Sequence, residues 1–188
     1  MKTRQRLTVL SLIPLLVACG ASLPERFYRL DALESGTASA MANSPRLSVG
    51  PVSVPDVLDR PQMVWQADAK RIVIAEQSRW AEPLPGAISR VVADNLARQV
   101  AGVLPVAAHA SADIRIELDI RRLDAVPGQS VTLEAVWRLR QASHIKQGHV
   151  LLRETVAANS TEALVAAHDR VLLVISRAIA VDLRDLPR

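Results

Sequence analysis

The residue best placed to do chemistry is Cys19, the only cysteine among 188 residues. It follows Leu16-Val17-Ala18, and this order of a branched apolar residue, a small or branched residue, a small residue and cysteine has the form of a bacterial lipobox. The small side chains fit the narrow pocket of a signal peptidase, and the thiol is the nucleophile that accepts a diacylglycerol group. The alternative is an ordinary secretory signal whose cysteine stays buried or free. We expect Cys19 to carry diacylglycerol and an N-acyl chain of the palmitate type, with no other cofactor.

The stretch before Cys19 has the organisation of a signal peptide. Lys2, Arg4 and Arg6 form a basic beginning, an apolar run follows from Leu7 to Ala18, and there is no acidic residue. Such an apolar run is too short to cross a bilayer as a helix. The sequence therefore predicts a lipoprotein signal peptide over 1–18, a lipidated cysteine with a short tether over 19–26, and a periplasmic domain over 27–188.

The tether sets where the domain lies. Two or more acyl chains anchor a protein stably in a membrane. Gly20 follows the cysteine, whereas Asp at that place retains lipoproteins in the inner membrane of enteric bacteria, so we expect the periplasmic face of the outer membrane. About seven extended residues reach only about 25 Å. The domain must therefore lie against its bilayer, and another molecule must cross the periplasm.

The charge of the chain argues against nucleic acid as a partner. The formal net charge is +4, but removal of the signal peptide leaves 20 basic and 19 acidic residues. A nearly neutral domain lacks the electrostatic footprint of a DNA- or RNA-binding protein. With one cysteine, the chain also forms no internal disulfide.

The residue patterns of common catalytic and metal sites are absent from the sequence. The seven glycines form neither a phosphate-binding loop nor a dinucleotide fingerprint, and no nucleophile-elbow motif occurs. The acidic residues on predicted strands alternate with apolar ones, as on a solvated sheet face. Metal-ligand spacing is also missing among the four histidines, which are His109, His144, His149 and His168. We expect no enzyme activity and no metal site.

Two long helices are predicted from hydrophobic periodicity. Apolar residues recur at three- and four-residue steps over Leu84–Ala101, and Gly102 supplies the stop. The second helix is predicted to begin at Asn159, with Glu162 completing a capping box, and to run to about Val181.

The remaining regular segments are predicted strands. Alternation of apolar and polar residues is strongest in the second half of the chain, where it indicates a three-stranded antiparallel meander. The fold class predicted is α+β, a single domain with a mostly antiparallel sheet and two main helices packed on one face. The predicted strands are Phe27–Leu30, Leu47–Val54 with an interruption at Gly50-Pro51, Met63–Gln66, Arg71–Glu76, Ile114–Arg121, Val131–Arg140 and His149–Ala157, with turns at Pro127-Gly128 and Lys146-Gln147-Gly148.

Two irregular, proline-rich stretches stand out, Val54–Trp65 and Arg79–Pro85. One interpretation is a proline-stiffened loop that caps the core and buries the tryptophans. The other is a rigid apolar docking surface, since prolines reduce the ordering entropy and Trp is a common interface anchor. The candidate partner interface comprises Pro55, Val57, Leu58, Met63, Trp65, Trp80, Pro83 and Leu84.

The same stretches resemble a known family, the PqiC/YmbA-type auxiliary lipoproteins of ABC-type transport systems. The resemblance covers nearly the whole chain after the signal peptide. It is carried by the lipobox, Tyr28-Arg29-Leu30, Val52-Ser53-Val54-Pro55-Asp56-Val57-Leu58, Met63-Val64-Trp65-Gln66, Trp80-Ala81-Glu82-Pro83-Leu84, Asn95-Leu96 and the C-terminal Leu-Pro-Arg.

The resemblance implies a non-catalytic component of an MCE-type system that moves lipids between the inner and outer membranes. It further implies a partner, a periplasm-spanning MCE-domain protein, and through it an inner-membrane permease and ATPase. The alternative function is a stand-alone carrier of a lipid or small apolar ligand, or an envelope scaffold. A carrier needs an apolar cavity of several hundred Å³. A docking subunit needs an exposed apolar patch, which a homo-oligomer would repeat.

Overall fold

The computed structural model of the protein describes residues 24–36, 40–41 and 43–186. The predicted signal peptide, Cys19 and the first part of the tether lie outside these residues. The elements in chain order are β1 (Arg26–Tyr28), β2 (Arg46–Ser53), β3 (Gln62–Gln66), β4 (Ile72–Trp80), α1 (Leu84–Gln99), β5 (Leu104–Val106), β6 (Ile114–Val126), β7 (Ser130–Gln141), β8 (His144–Thr155) and α2 (Thr161–Arg184). Within the part of the chain that the structure describes, no helix combines the length and apolar character needed to cross a membrane.

The strands form two sheets, one of five strands in the order β5-β2-β6-β7-β8 and one of three in the order β1-β4-β3. Both helices pack against the larger sheet and against each other. The α+β class and the two-helix layer are therefore confirmed. The larger sheet is mixed rather than mostly antiparallel, because β2 pairs in parallel with both β5 and β6. The smaller sheet is mixed too, since β1 runs parallel to β4.

The core lies between the larger sheet and the two helices. The alternation predicted for β6 is confirmed, because Ile114, Ile116, Leu118 and Ile120 are each at most 2% exposed. Burial of these faces removes apolar surface from water, which is the main favourable term in folding. The helical residues that meet them are Leu84, Ile88, Val91, Val92 and Leu96 of α1 and Leu164, Val171, Leu172, Ile175 and Ile179 of α2.

The beginning of α2 differs by one residue from the prediction. The N-cap is Ser160, not Asn159, because Ser160 has extended backbone angles of φ −136° and ψ 157°. Its hydroxyl accepts a hydrogen bond from the backbone N–H of Ala163 at 3.2 Å. Glu162 therefore lies at the second helical position, too early to close a capping box.

The turn predicted at Lys146-Gln147-Gly148 is wrong. These residues lie inside β8, and the chain reverses at Ala142-Ser143, where Ala142 has a φ of 49°. Gly148 pairs directly with Trp137 of β7. A Cβ atom on Gly148 would lie 2.0 Å from Cζ2 of that indole. Glycine is needed here for space beneath a ring rather than for a turn.

The predicted interruption at Gly50-Pro51 is instead a bulge within a continuous β2, where the register to β6 shifts between Val49 and Val52. Gly50 has a φ of +149°, and a Cβ at this position would come within 2.8 Å of the Cβ of Ala108. Sequence patterning missed β5, which is only three residues long and contains Pro105.

Candidate functional site

The two proline-rich stretches frame the smaller sheet, which adjoins the end of the larger one. Val54 to Pro61 connect β2 to β3, and Ala81 to Pro83 connect β4 to α1. Of the eight candidate interface residues, half have side chains in the core: Leu58 is 9% exposed, Met63 1%, Trp80 7% and Leu84 2%. The ring of Trp80 meets the ring of the buried His168 edge to face, with centroids 5.6 Å apart. These residues agree with the interpretation of a cap over the core.

The other four candidates remain accessible, in part or fully. Pro55, Val57 and Trp65 are half-buried, while Pro83 is exposed at the N-cap of α1. One groove of about 190 Å³ is lined by Pro55, Val57 and Trp65 and by the accessible edge of the Leu58 side chain. Met63, Trp80, Pro83 and Leu84 do not line it. The structure thus brings half of the candidate set to one place, and a docking role for that place stays a prediction.

This groove, which we call the β3–β6 groove, lies between two strand edges. β2 follows β6 only as far as the pair Ser53–Asp119 and then departs through Val54. β6 continues to Val126 with β7 on its other side, and β3 is the edge of the smaller sheet. The two edges face each other without pairing among the described residues. Such edges offer free backbone donors and acceptors to an extended peptide.

Sequence reasoning missed the wall of the groove that β6 supplies. That wall consists of Arg121 to Ala125, and Ile72 of β4 closes the opposite side. A signal was present in the sequence, since two consecutive polar residues, Arg121 and Arg122, break the alternation of β6. The structure has a bulge there, with the register to β7 shifting between Ile120 and Arg122.

A second set of polar contacts fixes β1 and the segment after it to the helices. The hydroxyl of Tyr28 donates to Glu162 at the start of α2 over 3.0 Å, and the backbone N–H of Asp31 donates to the carboxylate of Asp169 over 2.9 Å. The Arg90 guanidinium of α1 donates to the carbonyl of Leu30 over 2.8 Å. The first described residues are therefore held firmly to the body of the domain.

Burial and ion pairing shift the pKa values of several groups around these contacts. The side-chain hydrogen bond from Arg90 to Glu82 raises the pKa of Arg90. Burial raises the pKa of Asp169 to about 6, although the backbone N–H of Asp31 opposes the shift. Burial lowers the pKa of His168, whose Nδ1 lies 2.8 Å from the carbonyl oxygen of Leu164. That contact makes Nδ1 the donor of a neutral ring, packed in the core.

Two further grooves open on the surface at the ends of α1. One of about 550 Å³ is lined mostly by apolar atoms and lies between the start of α1 and β5, with Val52, Pro85, Ala93 and Val106 among its walls. The other, of about 420 Å³, lies where α1 and α2 both end. Both are open to solvent on one side.

Among residues 24–36, 40–41 and 43–186, no group of three or more His, Cys, Asp or Glu side chains is placed to hold a metal ion.

Comparison with known proteins identifies the family. Residues 28–180 match the model of the ABC-type transport auxiliary lipoprotein component. The chain belongs to this family. The match begins at the last residue of β1 and ends within the last turns of α2, so it includes β2 to β8, all of α1 and most of α2. The family resemblance found in the sequence is confirmed, and the family is one of lipoprotein components of transport systems rather than of enzymes.

Curated relatives and solved structures agree with this assignment. The chain is 33% identical over 89 residues to the Intermembrane transport lipoprotein PqiC of Escherichia coli strain K12. These aligned residues cover 46% of this chain and 48% of the relative. The PqiC of Shigella flexneri matches equally well. The chain thus matches about half the length of these relatives.

Solved structures support the fold. One crystal structure of an uncharacterized protein superposes with a TM-score of 0.72 at 19% identity, covering 86% of this chain and 99% of the other. A protein from Xanthomonas campestris gives a TM-score of 0.64 at 17% identity, covering 82% and 92%. At these identities the likeness establishes the shared architecture.

Proposed function

We propose that this chain is an auxiliary lipoprotein of a system that transports lipids between the inner and outer membranes. The single observation that carries the proposal is the family match over 28–180, and the name of the PqiC relatives adds the intermembrane setting. The lipobox at Cys19 and the residue Gly20 support an anchor in the outer membrane, with the domain on its periplasmic face. The role is non-catalytic, and the lipid on Cys19 is the covalent group involved.

The partner that fits this role is a periplasm-spanning MCE-domain protein, which connects the lipoprotein to a permease and an ATPase in the inner membrane. A tether of about seven residues reaches only about 25 Å, so the lipoprotein itself stays at one membrane. The system therefore needs a second protein that covers the distance. Assembly of several copies of this chain would present the docking surface repeatedly around such a partner.

The β3–β6 groove is the surface that we assign to this partner. Its volume of about 190 Å³ is below the range typical of small-molecule pockets, so it suits side chains of a protein better than a whole lipid. Apolar walls from Pro55, Val57 and Trp65 would take those side chains. The buried neighbour Leu58 supports the wall from beneath.

The test uses site-specific crosslinking in cells. A photo-crosslinking amino acid in place of Val57 should recover the MCE-domain protein after detergent purification and mass spectrometry. The same amino acid in place of Gln147, which is exposed on β8, is the matched control and should recover much less. Recovery of only lipid, of unrelated envelope proteins, or of equal amounts from both positions would contradict the docking assignment.

Variants then separate contact from folding. Val57→Asp should lower recovery of the partner by roughly tenfold or more, the loss expected for an interface anchor. Its thermal unfolding should stay close to that of the unaltered chain because Val57 is half-buried. Leu58→Ala should instead lower the unfolding temperature, since that side chain is 9% exposed.

A second candidate function, the carriage of a lipid or small apolar ligand, is favoured by one observation. The groove at the start of α1 has a volume of about 550 Å³ and mostly apolar walls, which is within the range of ligand sites. Native mass spectrometry of the purified lipoprotein would detect a bound lipid in a ratio of one to one. Gly86 lines this groove from an exposed position with open space around it. Carriage predicts that Gly86→Trp, whose ring would occupy the groove, removes that lipid, whereas docking alone predicts no such loss.

A further inference from the structure

The smaller sheet carries exposed apolar side chains at its hairpin, where Ile72 and Val73 at the start of β4 are 46% and 36% exposed. Phe27 is 62% exposed as well, but it lies near the other end of β4, opposite Arg79. The hairpin tip between β3 and β4 consists of Ala67 to Arg71, all exposed. Arg71 forms an ion pair with Asp68 at 3.2 Å, and Lys70 adds a further positive charge. Long basic side chains beside apolar residues suit the interface of a bilayer, because their stems pack on apolar surface while the charges reach phosphate groups.

The path of the chain brings the predicted anchor to this hairpin. β1 runs parallel to β4, with Arg26 beside Ser78 and Tyr28 beside Trp80. The chain therefore enters β1 from the direction in which β4 begins, which is the direction of the hairpin tip. The smaller sheet adjoins β6 at Arg121 to Ala125, whereas the β7–β8 turn lies at the other end of β6, where Gln141 pairs with Ile114.

The lengths of the two paths match. Seven residues separate Cys19 from Arg26, and fully extended they span at most about 25 Å. Six residues separate Ser78 from Ile72 along β4, which corresponds to about 20 Å of strand. The tether is therefore long enough for a lipid on Cys19 to lie as far from β1 as the hairpin tip and its flanking residues. A tether of this reach allows the hairpin to rest on the bilayer in which Cys19 is anchored.

The exit point of the tether is fixed relative to the hairpin. Glu25 forms an ion pair with Arg79 of β4 at 2.7 Å, and the backbone N–H of Ala81 donates to the carbonyl of Tyr28 over 2.8 Å. The hydroxyl of Tyr28 also bonds to α2 through Glu162. Because β1 is tied on both sides, it cannot swing its N-terminal end toward another face of the domain.

We propose that the tip of the β3–β4 hairpin, with Ile72 and Val73, rests on the membrane in which Cys19 is anchored. This contact rests on the lipid anchor of the proposed function. It orients the domain with the smaller sheet against the bilayer and the β7–β8 turn away from it. The occupant of this surface is thus phospholipid. Ile72 also closes one side of the β3–β6 groove, so the membrane contact and the surface assigned to the protein partner adjoin at this residue.

The experiment places an environment-sensitive dye at each end of the full lipidated chain. Lipidation consumes the thiol of Cys19, so Ala69→Cys at the hairpin tip or Ser143→Cys at the β7–β8 turn supplies the only reactive thiol. Both positions are exposed. In vesicles of phosphatidylethanolamine and phosphatidylglycerol, we expect a blue shift of the dye at 69 and its quenching by brominated lipid. The dye at 143 should keep the emission that it has in water. The double change Ile72→Ser with Val73→Ser, at two exposed positions beside the tip, should weaken the quenching at 69.

Mass spectrometry of the N-terminal peptide in the same preparation separates the anchor from the contact. Lipid on Cys19 with a water-exposed dye at 69 would overturn the contact alone. Absence of lipid on Cys19 would overturn both the anchor and the contact. Equal shifts at 69 and 143 would overturn the orientation, and a shift at 69 that needs a co-purified protein would assign the tip to a protein instead.

Discussion

Gly148→Ala tests whether glycine in the middle of β8 is required by the ring that covers it. Trp137 is directly opposite on β7, 5% exposed, and its Nε1 donates to the carboxylate of Asp182 over 2.8 Å. An alanine Cβ at 148 would lie 2.0 Å from Cζ2 and 2.3 Å from Cε2 of the indole. Since carbon atoms pack at about 3.5–4.0 Å, the ring must move by more than 1 Å. Because Nε1 is bonded to Cε2, this movement also disturbs the hydrogen bond to Asp182.

The magnitude follows from these two effects. Forced overpacking of a core costs about 1–3 kcal/mol, and the loss of a partly exposed hydrogen bond to a carboxylate adds about 1 kcal/mol. We therefore expect the free energy of unfolding to fall by about 2–4 kcal/mol. For a domain of this size the melting temperature should fall by roughly 5–15 °C.

The assay is thermal and urea unfolding of the purified lipoprotein, followed by far-UV circular dichroism and tryptophan fluorescence. Gly86→Ala is the control, because Gly86 is exposed on α1 and an added Cβ meets no atom within 4 Å. It should leave stability unchanged or raise it by up to about 1 kcal/mol. The reasoning is refuted if Gly148→Ala stays within about 0.5 kcal/mol of the unaltered chain. On a Trp137→Leu background, Gly148→Ala should cost much less, because the two sites are coupled.

Two further predictions concern α2. Burial raises the pKa of Asp169 to about 6, so the folded state binds the proton more tightly than the unfolded one, and stability from this group is lost as pH rises from about 4 through 6. Asp169→Asn keeps the acceptor for the N–H of Asp31. It should raise the free energy of unfolding at pH 7.5 by at most about 3 kcal/mol and change it little at pH 4. Urea unfolding at both pH values checks this, and an equal effect at both would contradict it. Ser160→Ala should lower the free energy of unfolding by about 1 kcal/mol, whereas Asn159→Ala should change it little. If thermal unfolding showed the larger effect for Asn159→Ala, the N-cap would be Asn159 instead.

Local patterns predicted most elements of this fold. Alternation placed β6 and β7, and three- and four-residue spacing placed both helices, because the side facing the core must be apolar in either structure. The pairing of strands was harder. β2 lies parallel between β5 and β6 because the β3–β4 hairpin and α1 intervene before the chain returns. Such a long-range arrangement leaves no periodic signal in β2 itself.

Glycine was the least reliable local signal. Gly128 does lie in a turn, with a φ of +67°. Gly148 lies in a strand, and the cause is Trp137, eleven residues earlier and on another strand. Space beneath a ring and a backbone turn both select glycine, so one sequence cannot distinguish them. The same holds at Gly50, whose bulge passes close to Ala108.

The candidate interface taken from the family resemblance contains residues of two kinds, some that line the groove and some that pack in the core. The motif that ends in Val57-Leu58 places one side chain in the wall of the β3–β6 groove and the next in the core. Adjacent residues of a loop need not share a role, since the backbone turns between them, and type alone does not separate them because both are apolar. Leu58 would be retained for packing even in a relative with another partner. The half-buried member, Val57, is therefore the position at which a docking role can be tested apart from folding.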